Sequence, residues 1–231
     1  MGRCRREERK TCRFNALPMK RMKNTIAYIF LLLLGVAGGQ ASAQDNSYAQ
    51  RLLDRTVSVL ESMADYRADF VYTYPQASPQ SGTMYARGDR YRVETDEFTL
   101  FSDGQYTYTV MDAEQEVTVR SVSDPEASAL GSVQAILRRF ADTFTPRTDR
   151  REGTVQYLRL MPREQDNPSQ YVLVGIDTAT GMPVRVEDVA RDGSHTVLDI
   201  VSIVRGEGAA DSLYRFDAKK YEQNGYYIAR P

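Results

Sequence analysis

The chain has no tryptophan, a single histidine and only two cysteines in 231 residues. Both cysteines, Cys4 and Cys12, lie near its start, so the rest of the chain has no thiol for a disulfide or a metal. One histidine cannot supply the ligand cluster of a zinc site. No glycine-rich loop has the spacing that binds phosphates. We therefore expect no metal site and no cofactor.

Candidate catalytic groups are equally scarce. His195 follows an Asp192-Gly193 turn, and no Gly-x-Ser-x-Gly segment supplies a nucleophile for it. A hydrolase that uses His195 is kept open as a hypothesis, but we expect a protein that is not an enzyme and has no catalytic residues. The acidic pairs Asp96-Glu97 and Glu187-Asp188 are interpreted as solvated charges of turns and strand edges.

The first part of the chain has the order of an export signal. Basic residues at 20, 21 and 23 precede an apolar run at 26–37, and Ala41-Ser42-Ala43 is a small-x-small cleavage pattern. This order predicts a secretory signal peptide that is cleaved after Ala43. An uncleaved membrane anchor is the alternative.

Two regions follow from this prediction. Residues 1–43 are the signal peptide, with a doubtful N-terminal extension before Met19, and residues 44–231 form a single domain. Nine of the 30 basic residues and two of the 31 acidic ones lie in 1–43, so the mature chain carries 21 basic and 29 acidic residues. Because this domain is acidic, nucleic acid is not an expected partner.

The strand pattern is clearest in Phe98–Val110. Asp103-Gly104 separates two runs of aromatic and β-branched residues, which predicts a hairpin with a type I′ turn. Tyr106, Tyr108 and Val110 share one face of the outgoing strand, because side chains alternate along a strand.

Similar patterns along the chain predict an α+β fold. Further strands are predicted at 68–74, 82–87, 90–95, 116–122, 156–161, 170–176, 182–188, 196–204 and 213–216. One helix is predicted at 48–63, and a second begins at Asp124-Pro125-Glu126 and continues to Phe140. Residues 143–153 are polar and are predicted to form a loop. The result is a curled antiparallel sheet of about ten or eleven strands with a leading and an inserted helix.

The interior of this sheet has two interpretations. The two helices either fill it completely or leave an apolar cavity for a lipid-like ligand. Periodicity does not distinguish a filled interior from a hollow one. The 15 tyrosines suit an apolar lining with polar tips, but they also suit ordinary strands.

Four short segments resemble those of a known family. The segment 101–105, Phe-Ser-Asp-Gly-Gln, followed by Tyr108, resembles a family turn after which a tryptophan is usual. Gly82–Arg87, 114–117 (Glu-Gln-Glu-Val) and Asp192-Gly193 resemble a strand, an acidic segment and a hairpin of the same family. In these segments and in the order of its elements, the sequence resembles the periplasmic outer-membrane lipoprotein carrier proteins of the LolA type.

The resemblance implies an unclosed antiparallel β-barrel in which the inserted helix is a lid over a hydrophobic cavity. Such a periplasmic carrier binds the acyl chains of lipoproteins. It takes these lipoproteins from an inner-membrane ABC transporter and transfers them to an outer-membrane acceptor. We expect a monomer. The alternative is a non-carrier periplasmic binding or sensor module of the same fold, with a different lipid or protein ligand.

The resemblance and the strand pattern also suggest site residues. The expected cavity lining is Phe70, Tyr72, Tyr85, Tyr91, Leu100, Tyr108, Leu137 and Phe140. Arg87 resembles the arginine that hydrogen-bonds the lid, with Arg90 and Arg92 as alternatives because Gly88 replaces the proline that follows in the family. The closing segment of the family is absent, and residues 221–231 stand in its place.

Overall fold

Twelve β-strands form one curled, unclosed sheet in the computed structural model, which describes residues 37–124, 132–206 and 210–230. The chain divides into two compact units, Met1–Ala43 and Gln44–Pro231, and the fold below is that of the second. The predicted signal peptide lies largely outside the described residues, and its cleavage after Ala43 stays a prediction. No helix in the described ranges is both long and apolar enough to cross a membrane.

The order of elements is a helix, six strands, a second helix, five strands and a short C-terminal segment. Their bounds are α1 (Ala37–Glu61), β1 (Tyr66–Thr73), β2 (Gln80–Arg87), β3 (Arg90–Thr95), β4 (Phe98–Ser102), β5 (Tyr106–Met111), β6 (Glu116–Ser121), α2 (Val133–Thr143), β7 (Phe144–Glu152), β8 (Val155–Pro162), β9 (Ser169–Asp177), β10 (Pro183–Ala190), β11 (His195–Arg205), a 3-10 helix (Asp211–Tyr214), α3 (Ala218–Gln223) and β12 (Tyr227–Ala229).

The strands are ordered β12-β6-β5-β4-β3-β2-β1-β11-β10-β9-β8-β7. Every neighbouring pair is antiparallel except β12 and β6, which are parallel. Because β12 and β7 are free edges, the sheet does not close into a complete barrel. This confirms the predicted α+β fold, with twelve strands where ten or eleven were expected.

The predicted hairpin is present, but its turn is longer than a type I′ turn. Strand β4 ends at Ser102 and β5 begins at Tyr106, so three residues connect the two strands. Gly104 has φ 93°, whereas Asp103 is not among the described residues with positive φ. Instead, the Asp103 carboxylate accepts hydrogen bonds from the backbone N–H groups of Gln105 and Tyr106, each at 2.8 Å. An aspartate that binds backbone amides ahead of it stabilises a turn without leaving the ordinary region of φ.

Both main helices pack on the face of the sheet that we call the inner face. The buried residues of α1 recur every three or four positions and are Ala49, Leu52, Leu53, Thr56, Val57 and Leu60. Helix α2 begins after Ser132, whose hydroxyl accepts a hydrogen bond from the Ala135 N–H at 3.2 Å, and it buries Val133, Leu137 and Phe140. The helix start predicted at Pro125-Glu126 lies outside the described residues.

Two of the predicted elements are wrong. The loop expected at 143–153 is strand β7, in which Phe144 and Pro146 are buried against the sheet. Its polar sequence reflects its place at the edge, where proline is tolerated and charges discourage pairing with another chain. The strand expected at 213–216 is replaced by the 3-10 helix Asp211–Tyr214.

The opposite, outer face of the sheet carries a second apolar cluster. Phe101, Val110 and Val117 are buried there, because Phe216, Tyr221 and the rest of the C-terminal segment cover them. We call this set the outer cluster. Strand β4 therefore has buried apolar side chains on both faces, Leu100 on the inner face and Phe101 on the outer.

Asp69 links three strands on the outer face and gives a pH-dependent prediction. Its carboxylate accepts hydrogen bonds from Arg67 at 2.7 Å, Thr83 at 3.0 Å and Ser202 at 2.9 Å. Partial burial raises the pKa of Asp69, but the bonds from Ser202, Thr83 and Arg67 together outweigh burial and hold it below 3.8. Since the folded state favours the ionised form, its contribution is present above the unfolded pKa and is lost as pH falls through the folded pKa.

We therefore expect Asp69→Asn to lower the free energy of unfolding by about 1 kcal/mol at neutral pH. The difference from the wild type should shrink as pH falls below 3.8. Urea unfolding over a range of pH measures both, with the exposed Glu114→Gln as a control that changes neither. A deficit that stays constant into acid would show that the ionised carboxylate is not responsible.

Candidate functional site

A cavity lies between α2 and the inner face of the sheet. Its volume is about 130 Å³. Its lining consists of Phe70, Tyr72, Met84, Val93, Thr95, Phe98, Ile136, Arg139, Phe140, Val186, Asp188, Thr196 and Leu198. Small-molecule sites usually measure roughly 300–1,000 Å³. The cavity between α2 and this part of the sheet is therefore small and largely apolar.

Strand alternation brings the walls of the cavity together. Phe70 and Tyr72 are two residues apart on β1, and Val186 and Asp188 are two apart on β10, so each pair shares the inner face. Ile136 and Phe140 are four apart on α2 and lie on the same side of that helix. The size and shape of the cavity thus depend on the position of α2 on the sheet.

One end of the cavity is polar. The Asp188 Oδ2 atom accepts a hydrogen bond from the Ser169 hydroxyl at 3.0 Å, while Oδ1 is buried without a hydrogen-bond partner. Burial raises the pKa of Asp188, against the opposing effects of Ser169 and Arg139. Burial also lowers the pKa of Arg139, and the nearby charge of Asp188 opposes that shift. An acid and a base therefore line the same apolar chamber.

The structure brings six of the eight predicted lining residues to the inner side. Phe70, Tyr72 and Phe140 line the cavity itself. Tyr91, Leu100 and Leu137 are buried in the core that surrounds it, but they do not line it.

The other two predicted lining residues face the opposite way. Tyr108 pairs with Phe101 across β4 and β5 and stacks on Phe216 with ring centroids 4.5 Å apart, so it belongs to the outer cluster. Its hydroxyl donates to Asp103 at 2.8 Å. Tyr85 lies between the inward residues Met84 and Ala86 and is likewise on the outer face. Their predicted place in the cavity is wrong, because alternation along a strand does not tell which of its two faces lies under α2.

Arg87, the predicted lid contact, lies at the end of β2. It donates to Asp65 at 3.1 Å and to Asp211 at 2.7 Å, and its guanidinium lies 5.4 Å from the centre of the Tyr214 ring. These bonds join β2 to the residue before β1 and to the 3-10 helix. The lid-bonding role of Arg87 stays a prediction. Of the alternatives, Arg90 is 3.6 Å from Asp211, and Arg92 pairs with Glu94 at 2.5 Å.

The polar end of the cavity was not predicted from the sequence. Asp188 was interpreted as a solvated charge, and that interpretation is wrong for its Oδ1 atom. Its alternation with Val186 was the available signal, since an acid two residues from an inward valine shares the inner face. Arg139 of α2 also lines the cavity and was not among the predicted site residues.

The remaining chemical candidates lie elsewhere. His195 pairs with Glu187 at 2.8 Å on the outer face, where the histidine is exposed. Within residues 37–124, 132–206 and 210–230, no three His, Cys, Asp or Glu side chains are grouped so that they could hold a metal ion.

No family model matches the sequence, and no curated protein matches it. Among solved structures, a conserved uncharacterised protein from Thermus thermophilus superimposes with a TM-score of 0.55 at 14% identity, covering 80% of this chain and 99% of that one. A putative outer membrane lipoprotein-sorting protein domain from Vibrio parahaemolyticus gives 0.42 at 12% identity, covering 78% and 98%. A LolA superfamily protein from Nitrosomonas europaea gives 0.40 at 13% identity, covering 73% and 98%. At 14% identity the likeness to the Thermus thermophilus protein concerns the fold alone.

Proposed function

We propose that this protein is a carrier that binds acyl chains of lipids or lipoproteins in the cavity beneath α2. The observation that carries the proposal is an apolar chamber, with one polar end, covered by a single short helix. Removing an acyl chain from water is favourable by about 25 cal/mol per Å² of buried apolar surface. The polar end of the cavity can bind the polar head group of an acylated molecule. A fully apolar cavity could bind only its acyl chain.

Uptake of a long chain requires α2 to move. The cavity of about 130 Å³ is too small for one. Helix α2 has only 11 residues, and its buried contacts with the core are those of Val133, Leu137 and Phe140. A helix of this length is not stable alone, so its position depends on those contacts. In the empty state α2 closes over the cavity and limits the exposed apolar surface, which makes release of the ligand possible.

The proposal extends to location and partners. The predicted signal peptide and the family resemblance support a monomeric carrier in the periplasm. Its cargo would be acylated lipoproteins, received from an inner-membrane lipoprotein-releasing ABC transporter and passed to an outer-membrane acceptor. The carrier would perform no reaction.

A second candidate is a binding or sensor module of the same fold without a carrier role. The small size of the cavity favours it, because a module without a carrier role needs no room for a long chain. This candidate predicts no uptake of apolar probes and a stable protein partner.

A fluorescent naphthylamine probe tests the carrier against the module. We expect the wild type to bind the probe and Ile136→Trp to weaken binding about tenfold or more, because the larger ring occupies a close-packed chamber. Tyr85→Trp introduces the same ring on the outer face and should bind as the wild type does. Thermal unfolding of both variants checks that they fold.

Two results would contradict the carrier proposal. One is a wild type that does not bind the probe. The other is equal loss of binding in both tryptophan variants, which would place the probe outside the cavity. Release of an acylated lipoprotein from spheroplasts by the wild type, but not by a folded Ile136→Trp variant, would extend the result from binding to transport.

A further inference from the structure

The partly buried carboxylate of Asp188 is the most unusual group in the cavity. Its Oδ1 atom has no hydrogen-bond partner, although Oδ2 is satisfied by the Ser169 hydroxyl at 3.0 Å. Asp188 pairs with the fully buried Val172 of β9 on one side and with Thr196 of β11 on the other. A buried polar atom without a partner is costly, and most such atoms in native proteins are hydrogen-bonded. Since Asp188 lines the cavity, a ligand bound there can supply the missing donor.

The chemistry of this oxygen restricts the head group of a ligand. An ionised carboxylate only accepts hydrogen bonds. A fatty acid carboxylate would therefore bring a like charge to it, and an ester would bring no donor. An amide N–H can donate to Asp188, and its carbonyl can accept from the guanidinium of Arg139, which lines the same cavity and has five N–H donors.

The geometry points to Asp188 as a specificity-determining residue that selects acyl chains attached through an amide over esters and free fatty acids. The apolar tail lies against Phe70, Met84 and Leu198, and the amide lies at the polar end beside Asp188 and Arg139. This inference rests on the proposed acyl-binding function and adds the class of head group to it.

Two ligands of equal chain length test the selection. Dodecanamide and methyl dodecanoate both contain a carbonyl, but only the amide donates a hydrogen bond. An amide costs more to desolvate than an ester, so a preference for it requires a partner in the cavity. We expect the amide to displace the naphthylamine probe from the wild type at about tenfold lower concentration than the ester, the factor expected for one hydrogen bond to a charged group.

Substitutions in β10 then test whether the preference for the amide depends on Asp188. Asp188→Leu should reduce the ratio to about one, mainly by weakening the amide. Glu187→Leu removes an acid from the neighbouring position on the outer face of β10 and should keep the tenfold ratio. Asp188→Asn retains an acceptor oxygen without the charge and should give a ratio of a few-fold. If the leucine variant does not fold, the asparagine variant decides the question by the same measurement.

The possible failures are distinguishable. Equal affinities for amide and ester in the wild type, or a ratio that Asp188→Leu leaves unchanged, overturn the selection while acyl binding stands. Absence of probe and ligand binding overturns both proposals. A dodecanoyl group joined by an amide to a short peptide separates two sources of the head group. Affinity equal to that of dodecanamide supports acylated proteins as the source, and binding of the small amide alone supports a free lipid amide.

Discussion

Replacing Leu137 by alanine is expected to lower the free energy of unfolding by about 2–5 kcal/mol. In a domain of this size that corresponds to a fall of roughly 5–15 °C in Tm. Leu137 is 0% exposed and is the central buried residue of α2, between Val133 and Phe140. An 11-residue helix is not stable by itself, so its own hydrogen bonds do not compensate for the lost packing of Leu137.

The neighbouring arginine provides the matched control. Arg138→Ala also shortens a side chain of α2, but Arg138 is exposed and its pair with Glu61 lies at the surface. Such pairs contribute about 0–1 kcal/mol, so Tm should change little. Differential scanning calorimetry of both variants measures the contrast. Similar Tm values for Leu137→Ala and Arg138→Ala would show that α2 contributes little to the folded state.

Ligand binding should respond differently from stability in the same variant. Leu137 lies beside the cavity rather than in its lining, and alanine leaves extra space there. We therefore expect Leu137→Ala to bind the naphthylamine probe at least as well as the wild type below its Tm. Loss of probe binding in a folded Leu137→Ala protein would mean that binding requires α2 to be packed on the core, and not the cavity alone.

The sequence predicted the strands better than their faces. The alternation at Tyr108 indicates a strand with one apolar side, and the structure confirms that strand. Periodicity does not tell which side faces the helices, and here the outer side of β4 and β5 is buried by the C-terminal segment. Tyr108 is partly buried on the outer face by its contact with Phe216, which is distant in sequence. A local sequence pattern cannot predict such a contact.

Two other wrong predictions, at β7 and at Asp188, concern polar residues whose environment is also set by non-local contacts. The segment that forms β7 was interpreted as a loop because it is rich in arginine and aspartate. Its strand conformation comes from pairing with β8, which is a non-local interaction. Asp188 was interpreted by residue type, although its register with Val186 placed it on the inner face. In both cases the sheet decides the environment, and residue chemistry alone points the wrong way.

Phe216→Ala is expected to release the C-terminal segment from the outer face without unfolding the sheet. The Phe216 ring stacks on Tyr108 at 4.5 Å and on Tyr221 at 5.1 Å, and it lies 6.3 Å from the Phe101 ring. The segment is also held by the packing of Tyr226 and Ile228 on the outer cluster, by the three residue pairs of β12 with β6, and by a hydrogen bond from the Tyr226 hydroxyl to Asp112 at 2.7 Å. Three residue pairs at a sheet edge do not hold a strand alone.

The loss should appear as local opening. Truncating a large aromatic ring in an apolar cluster costs about 2–4 kcal/mol, and here that cost falls on the attachment of residues 215–230. When opening is fast relative to cleavage, the rate of proteolysis follows the open population, so cleavage in this segment should accelerate roughly 30-fold or more. Limited proteolysis with mass spectrometry measures the site and the rate. Arg215→Ala, next to it and exposed, should be cleaved at the wild-type rate.

The same variant separates the two faces of the sheet. Because the outer cluster lies on the side away from α2, naphthylamine binding to folded Phe216→Ala should equal that of the wild type. Faster cleavage with unchanged binding would assign the C-terminal segment to protection of the β6 edge, which is otherwise open to pairing with another chain. If probe binding is weakened while cleavage accelerates, the cavity requires an intact outer cluster. Tyr108, which does not line the cavity, would then affect ligand binding indirectly.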